Sequence, residues 1–384
     1  MRWKLAPIGL TVGMLLAACG GAAPPPPSAA PASAAPPSSA AAKPPAAASA
    51  APASASAAAK PSASGQPATS PSGGATTTIR FGTIPSIASE PMYLGADSGE
   101  MAKRGLDVQF TSVTSTPETL VAVASGKLDM GISSISAAFL NAFARGTDLK
   151  VVASGGAEAS GHAAFLPVLV RTDLYDSGAV KTPAQLKGRK VALNSKATGI
   201  EFDLYEVLKP AGLKVSDTDV VTMPWPDMLP AFANKSIDAG LVAQPLATQA
   251  VDKGLAKILA DDYAPGQQNA VMVANSTFLK QNSDAVVNFL AVYVQMIRRL
   301  DDGKVKTDQE ALASIEKWTK TMHDVVKKAP DPYWPPDGKV NVKSVADQQA
   351  YYLDTKEVDY AQPIDINSIV DESYLDQALK KLGS

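Results

Sequence analysis

The residues best suited to chemistry in this chain are neutral hydroxyls, and they come in short clusters. Thr83-Ile-Pro-Ser86, Thr111-Ser112-Val-Thr114-Ser115-Thr116, Ser133-Ser134, Ser154-Gly155-Gly156 and Ser195-Lys196-Ala-Thr198-Gly199 each follow a short apolar run of the kind that forms a strand. A hydroxyl donates and accepts hydrogen bonds without a charge of its own, so such clusters suit the grip of a small polar or anionic molecule. Ser and Thr also cap helices for structural reasons alone, and most of these residues are expected to do only that. The two histidines, His162 and His323, lack the spacing of a metal site. There is no Gly-x-Ser-x-Gly elbow, no His-Glu-x-x-His and no phosphate-binding Walker loop. Binding is expected, with no catalysis, metal or cofactor.

One thiol offers a second chemistry. Cys19 is the single cysteine of 384 residues, so it has no partner for an internal disulfide. It follows Met-Arg-Trp-Lys and a mostly apolar run from Leu5 to Ala18. That run falls short of the roughly 20 residues a spanning helix needs. Arg2 and Lys4 give it the positive flank of an export signal. Leu16-Ala17-Ala18-Cys19 resembles the lipobox of bacterial lipoproteins. The resemblance implies removal of residues 1–18, a diacylglycerol on the Cys19 sulfur and an acylated new amine. Two or three acyl chains hold to a membrane far better than one.

Residues 19–75 are then expected to be a disordered tether. From Gly20 to about Ala75 the chain is almost wholly Ala, Pro, Ser and Gly, with Lys43 and Lys60 as its charges. Such a segment cannot bury enough apolar surface to offset the entropy of ordering. Over the whole chain 35 Lys and Arg face 37 Asp and Glu, and no basic stripe with interleaved aromatics suggests a nucleic acid.

From Thr76 onward, the elements that must position the hydroxyls read as strands alternating with helices. Strands are expected at Thr78–Gly82, Leu106–Phe110, Leu128–Gly131, Leu149–Ala153, Phe165–Val170, Lys190–Asn194, Val220–Met223, Ala239–Ala243, Ala256–Ala260 and Ala270–Val273. Long helices are expected over Ser283–Leu300 and Asp308–Lys328. This pattern predicts an α/β fold with mostly parallel sheets. The stretch Ala122 to Gly131 also echoes Ala231 to Gly240, each carrying Asp-x-Gly at its end: Asp129-Met-Gly131 and Asp238-Ala-Gly240. Two similar α/β lobes follow from the echo, 76–172 plus 268–384 and 173–267, with hinge crossings near Arg171–Asp173 and Ala264–Asn269. In such sheets ligands bind beyond the carboxyl ends of the strands, where the hydroxyl clusters lie.

The order and spacing of these segments resemble bacterial solute-binding proteins of the sulfonate, nitrate, taurine and thiamine-precursor group, the NMT1-like proteins with the type II periplasmic binding fold. Pro91 to Val108, with Gly99 and Gly105, is similar to that family's first helix and second strand. Leu120–Gly131 resembles its helix ending in Ser-Gly-x-x-Asp-x-Gly, and Asp365–Gly383 its terminal helix. Two departures are the run Gly240-Leu-Val-Ala-Gln244, where several members have an aromatic residue, and Met101 in place of Phe.

The resemblance implies a monomeric lipoprotein that closes its cleft on a small solute and delivers it to an ABC permease and its ATPase. The solute would be of the sulfonate, nitrate, carboxylate or pyrimidine class. The expected ligand set is Thr83, Ser86, Ser115, Thr116, Ser133, Ser134, Ser195, Thr198, Gly199, Trp225 and Gln244. Trp225, between two prolines, suits either a wall that stacks on a flat ligand or a packing role at the hinge, and Lys196 is either a partner for an anion or a solvated loop residue. Tyr333-Trp334 and Tyr351-Tyr352 are expected to pack across the back of the first lobe. A sensor or adhesion lipoprotein of the same fold is the alternative. A pyrimidine-forming synthase would need a cysteine-rich loop, and no cysteine follows Cys19.

Overall fold

The computed structural model describes residues 76–383, apart from 114, 161, 163 and 302, so the export signal, Cys19 and the tether lie outside the described residues. Among the described residues ten strands run β1 Thr77–Thr83, β2 Leu106–Ser112, β3 Met130–Ser134, β4 Leu149–Ala157, β5 Val168–Arg171, β6 Lys190–Leu193, β7 Asp219–Thr222, β8 Ala239–Leu241, β9 Ala256–Ala260 and β10 Gln268–Asn275. They form two five-stranded sheets with orders β2-β1-β3-β10-β4 and β7-β6-β8-β5-β9. Each sheet is the floor of one α/β lobe.

The two sheets share one plan. In each, the first pairs are parallel, β1 with β2 and β3, β6 with β7 and β8. The strand bordering an interlobe crossing, β10 or β5, is antiparallel to both its neighbours. The sheets are therefore mixed rather than mostly parallel. The crossing strands return from the other lobe and enter from the opposite end, which an apolar period-two pattern does not reveal.

The first crossing differs from the expected boundary. β5 pairs with β8 and β9, so it belongs to the second sheet, and the chain leaves the first lobe within 158–167 rather than near Arg171–Asp173. It returns within 261–267, between β9 and β10.

The sequence echo has a structural cause. Asp129 Oδ2 accepts from the backbone N–H of Arg80 at 2.8 Å, and Asp238 Oδ2 accepts from that of Lys190 at 3.1 Å. Each carboxylate thus ties the loop before a central strand to its parallel neighbour. Two residues on, Gly131 lies opposite Gly82 and Gly240 opposite Ala192. A Cβ on Gly131 would stand 2.5 Å from Thr119 Cγ2 and 2.9 Å from the Gly82 carbonyl oxygen, so only glycine fits.

The helix Ser283–Leu300 forms as expected and buries most of its length against the first sheet, where Phe289 stacks on Phe81 with ring centroids 5.4 Å apart. The expected helix Asp308–Lys328 is two, Gln309–Thr319 and His323–Lys328, because Lys320 takes a left-handed φ of 60° and ends the first. The helix Val342–Asp354 packs against both lobes. Its Tyr352 hydroxyl donates to the Ile135 carbonyl at 3.4 Å, and its Tyr351 hydroxyl donates to Glu201 Oε1 at 3.4 Å. These two tyrosines are buried between the lobes, not across the back of the first.

Candidate functional site

Where the carboxyl edges of the two sheets face each other, a cleft of about 370 Å³ opens. That is within the usual range of roughly 300–1,000 Å³ for small-molecule sites. The first lobe supplies the turn Ile84–Ser89 after β1, the end of β3 with Ile132 and Ser134, and Gly155–Glu158 at the end of β4. The second supplies Trp225 and Ala243–Leu246. Phe165, Leu166, Asn269 and Ala270 come from the ends of the crossings, and the loop Asp331–Trp334 closes one side.

Four of the expected residues meet at this cleft: Ser86, Ser134, Trp225 and Gln244. Ser86 precedes the short 3-10 turn Ile87–Ser89 and makes no capping bond, so its hydroxyl has only a 3.5 Å contact with the Ser89 hydroxyl. Trp225 opens the helix Trp225–Ala233, and its indole N–H is buried with no acceptor. Gln244 Oε1 accepts from the Thr248 backbone N–H at 3.2 Å and from its hydroxyl at 2.8 Å.

The other expected residues lie elsewhere. Thr83 is buried behind the cleft wall with its hydroxyl paired to Ser89 at 2.8 Å. Ser133 is buried within β3 and donates to the Ser134 carbonyl at 3.2 Å. Alternation along the strand turns adjacent side chains to opposite faces, which separates Ser133 from Ser134. Ser115 is exposed just before the helix Thr116–Ala124 and does not line the cleft, and the Thr116 side chain lies outside what is described.

The loop Ser195–Gly199 touches the first lobe instead. Gly199 N–H donates to the Ile135 carbonyl and Ala137 N–H to the Ala197 carbonyl, each at 3.0 Å, with Ser136 and Thr198 bridged between them. Glu201 Oε2 accepts from Ala197 N–H at 2.7 Å and steadies this loop, while Ser195 and Thr198 hydroxyls bond each other at 3.2 Å. Lys196 borders a separate, larger and open groove beside Tyr205, Lys214 and Asp347. That groove carries both signs of charge and lies away from the strand ends of the cleft, so Lys196 is no partner for a molecule in the cleft.

Several lining residues escaped the sequence reading. Tyr333 and Trp334, expected at the back of the first lobe, stand at the cleft, where Trp334 Nε1 donates to the Ala88 carbonyl at 3.1 Å. His162, set aside above as a metal ligand, is exposed at the rim with its ring 5.6 Å from that of Tyr333. Glu158 accepts from Asn269 Nδ2 at 2.5 Å. Burial pushes the Glu158 carboxyl up to about 7, against the pull of Asn269 and of the Phe165 backbone N–H. Behind it, Gln267 donates to Asp203, whose carboxyl is held well above the ordinary range by full burial and by the charge of Glu158.

Two α/β lobes, a double crossing and a cleft at the strand ends define a type II periplasmic binding protein fold. The sequence profile described as the NMT1-like family matches residues 72–316. The chain belongs to that family. It is similar to a Bacillus subtilis protein whose name assigns it to aliphatic sulfonates, with 25% identity over 80% of this chain and 89% of that one. Alignment with binding proteins of Brucella abortus, also 25% identical, covers 59% of this chain and 66% of their length. The crystal structure of the periplasmic aliphatic sulphonate binding protein SsuA from Escherichia coli superposes over 77% of this chain and 92% of its own, with a TM-score of 0.62 and 23% identity. A structure named as a periplasmic sulfonate-binding protein of a sulfonate ABC transporter, from Methylobacillus flagellatus KT, covers 80% of this chain and 95% of its own at a TM-score of 0.61 and 18% identity.

Proposed function

We propose that this chain is the solute receptor of an ABC importer, held on the outer side of the membrane by lipid on Cys19 and working as a monomer. The cleft carries this reading: it sits where open α/β sheets bind ligands, and its walls come from both lobes. A solute meets Ser86 and Ser134 on the first lobe. Movement about the crossings 158–167 and 261–267 brings Trp225 and Gln244 onto it from the second. The closed form is what the permease and its ATPase recognise. Residues 19–75 serve as a tether, so the folded part searches the space above the membrane without leaving it. The expected lobes become 76–157 plus 268–384 and 168–260, once β5 is counted with the second sheet.

Titration of the full chain, in detergent, with a library of small organic solutes tests the reading. A solute at 100 times its dissociation constant should add about 2.7 kcal/mol of stability, and solution scattering should show a smaller radius of gyration. A library in which nothing raises the melting temperature or compacts the protein contradicts it.

A further inference from the structure

Six large apolar and aromatic side chains, Ile84, Ile132, Phe165, Trp225, Leu246 and Tyr333, line the cleft and are each only half-buried. They come from separate places: the turn after β1, strand β3, the first crossing, the helix Trp225–Ala233, the start of the helix Leu246–Asp252 and the loop 331–334. Both lobes thus leave apolar surface open toward one space, although each has a core that could have covered it. A concentration of that kind on a folded monomer marks a place where something apolar is bound.

The polar lining residues are arranged the other way, with their groups spent on the protein. Gln244 is nearly buried and its Oε1 accepts twice from Thr248. Asn269 Nδ2 goes to Glu158, the Ser89 hydroxyl to Thr83, and Asp331 Oδ2 pairs with Lys306 at 3.3 Å. Among the described lining residues there is no Lys or Arg. The helix starts at the cleft add little positive field. Pro91 and Pro226 each take a free donor out of a first turn, and Asp227 puts a carboxylate into the second of these turns. An anion entering here would lose its hydration with no cation to replace it.

We propose that the cleft takes an aromatic solute and holds it by its apolar body, with no charged group required. The proposal rests on the receptor reading of the cleft and departs from the sulfonates in the names of the similar proteins. A volume of about 370 Å³ is at the small end for ligand sites and suits one or two fused rings. A nitrate or a two-carbon sulfonate would fill little of it and leave the apolar wall wet. Tyr333 belongs to the first lobe and Trp225 to the second, so a ring between the lobes meets an aromatic side chain from each. Its burial takes apolar surface of both lobes out of water at once, which ties binding to closure.

The test is calorimetric titration of the full chain with 2-naphthalenemethanol, 2-naphthalenesulfonate, ethanesulfonate and nitrate, with titration into detergent alone as the blank. A naphthyl body offers about 100 Å² more apolar surface than an ethyl group. Both naphthyl compounds should therefore bind at least about thirtyfold tighter than ethanesulfonate or nitrate, and the alcohol at least as tightly as the naphthyl sulfonate. Their binding should carry a negative heat-capacity change. Tyr333→Ala should weaken both about three- to tenfold, and Tyr333→Phe, which keeps the ring, should bind like the wild type. Melting temperatures of the unliganded variants check their folding, and the wild-type ranking needs no variant at all. Ethanesulfonate or nitrate as tight as the naphthyl compounds, a naphthyl sulfonate tighter than the alcohol, or a folded Tyr333→Ala as tight as the wild type overturns the inference and leaves the receptor standing. Silence from all four compounds overturns it too, and the receptor reading falls with it only if the wider library is also silent.

Discussion

Across the two lobes, the backbone N–H of Gly199 donates to the carbonyl of Ile135 at 3.0 Å. With the equal bond from Ala137 to Ala197, it makes a clasp on one side of the cleft. A loop rich in hydroxyls and glycine, of the kind that grips ligands, here grips the other lobe.

Proline at 199 tests that contact. Gly199 is the first residue of the helix Gly199–Leu208, a position where proline is tolerated, and Thr198 before it is extended, as a residue preceding proline prefers to be. A Cβ there meets the Ile135 oxygen at an ordinary 3.5 Å. Proline's Cδ takes the place of the amide hydrogen and points at the Ile135 oxygen, so Gly199→Pro removes the hydrogen bond and adds a clash, and its cost in urea unfolding should exceed the about 0.5–1.5 kcal/mol of a hydrogen bond alone. A variant as stable as the wild type would mean that the Gly199 N–H does not lie against the Ile135 oxygen as described.

The paired Asp-x-Gly segments differ in how tightly their glycines are enclosed. Gly131→Ala places a methyl against the Gly82 carbonyl oxygen at 2.9 Å and Thr119 Cγ2 at 2.5 Å, and backbone cannot give way. Its cost should be about 2–3 kcal/mol. For Gly240→Ala the tightest contact is 3.2 Å, to the Ala192 oxygen, and the cost should be less than half as large. Urea midpoints compare the two directly, and an equal loss at both positions would contradict the geometry.

Glu158 gives the stability a pH dependence of definite sign. Its carboxyl rises from 4.5 to about 7 on folding, so the folded chain holds that proton more tightly. The contribution is complete below about pH 4.5 and is lost as the pH climbs through 7. It amounts to about 3 kcal/mol, at 1.36 kcal/mol per unit. Glu158→Gln should melt like the wild type at pH 4.5 and at a higher temperature at pH 8. Asp203 behind it keeps part of the slope in the variant, since its own carboxyl is also raised. Parallel melting curves for the two proteins across this range would refute the assignment.

The strands were legible because apolar runs of four to eight residues, bounded by Gly, Pro and hydroxyls, stood out at all ten places. Their direction was not. β5 and β10 look like the others locally, and only their pairing across the crossings makes them antiparallel. The same limit shaped the site. Trp225 and Gln244 were visible because they directly follow strands of the second sheet. Tyr333 and Trp334 follow no strand, and the bond from Trp334 to Ala88 that seats them joins residues far apart in sequence. The Ser195–Gly199 loop has the composition of a ligand grip, and composition does not say which neighbour a free N–H will find.

Hydrogen exchange of the full chain, with and without the solute that most raises its melting temperature, tests the central claim most directly. Amides of Ile84–Ser89, after β1, and of Ala243–Leu246, after β8, should slow together on binding, while those beside Lys196 and Lys214 in the mixed-charge groove stay unchanged. Slowing confined to that groove, with Ile84–Ser89 exchanging as before, would place the solute elsewhere and contradict the account.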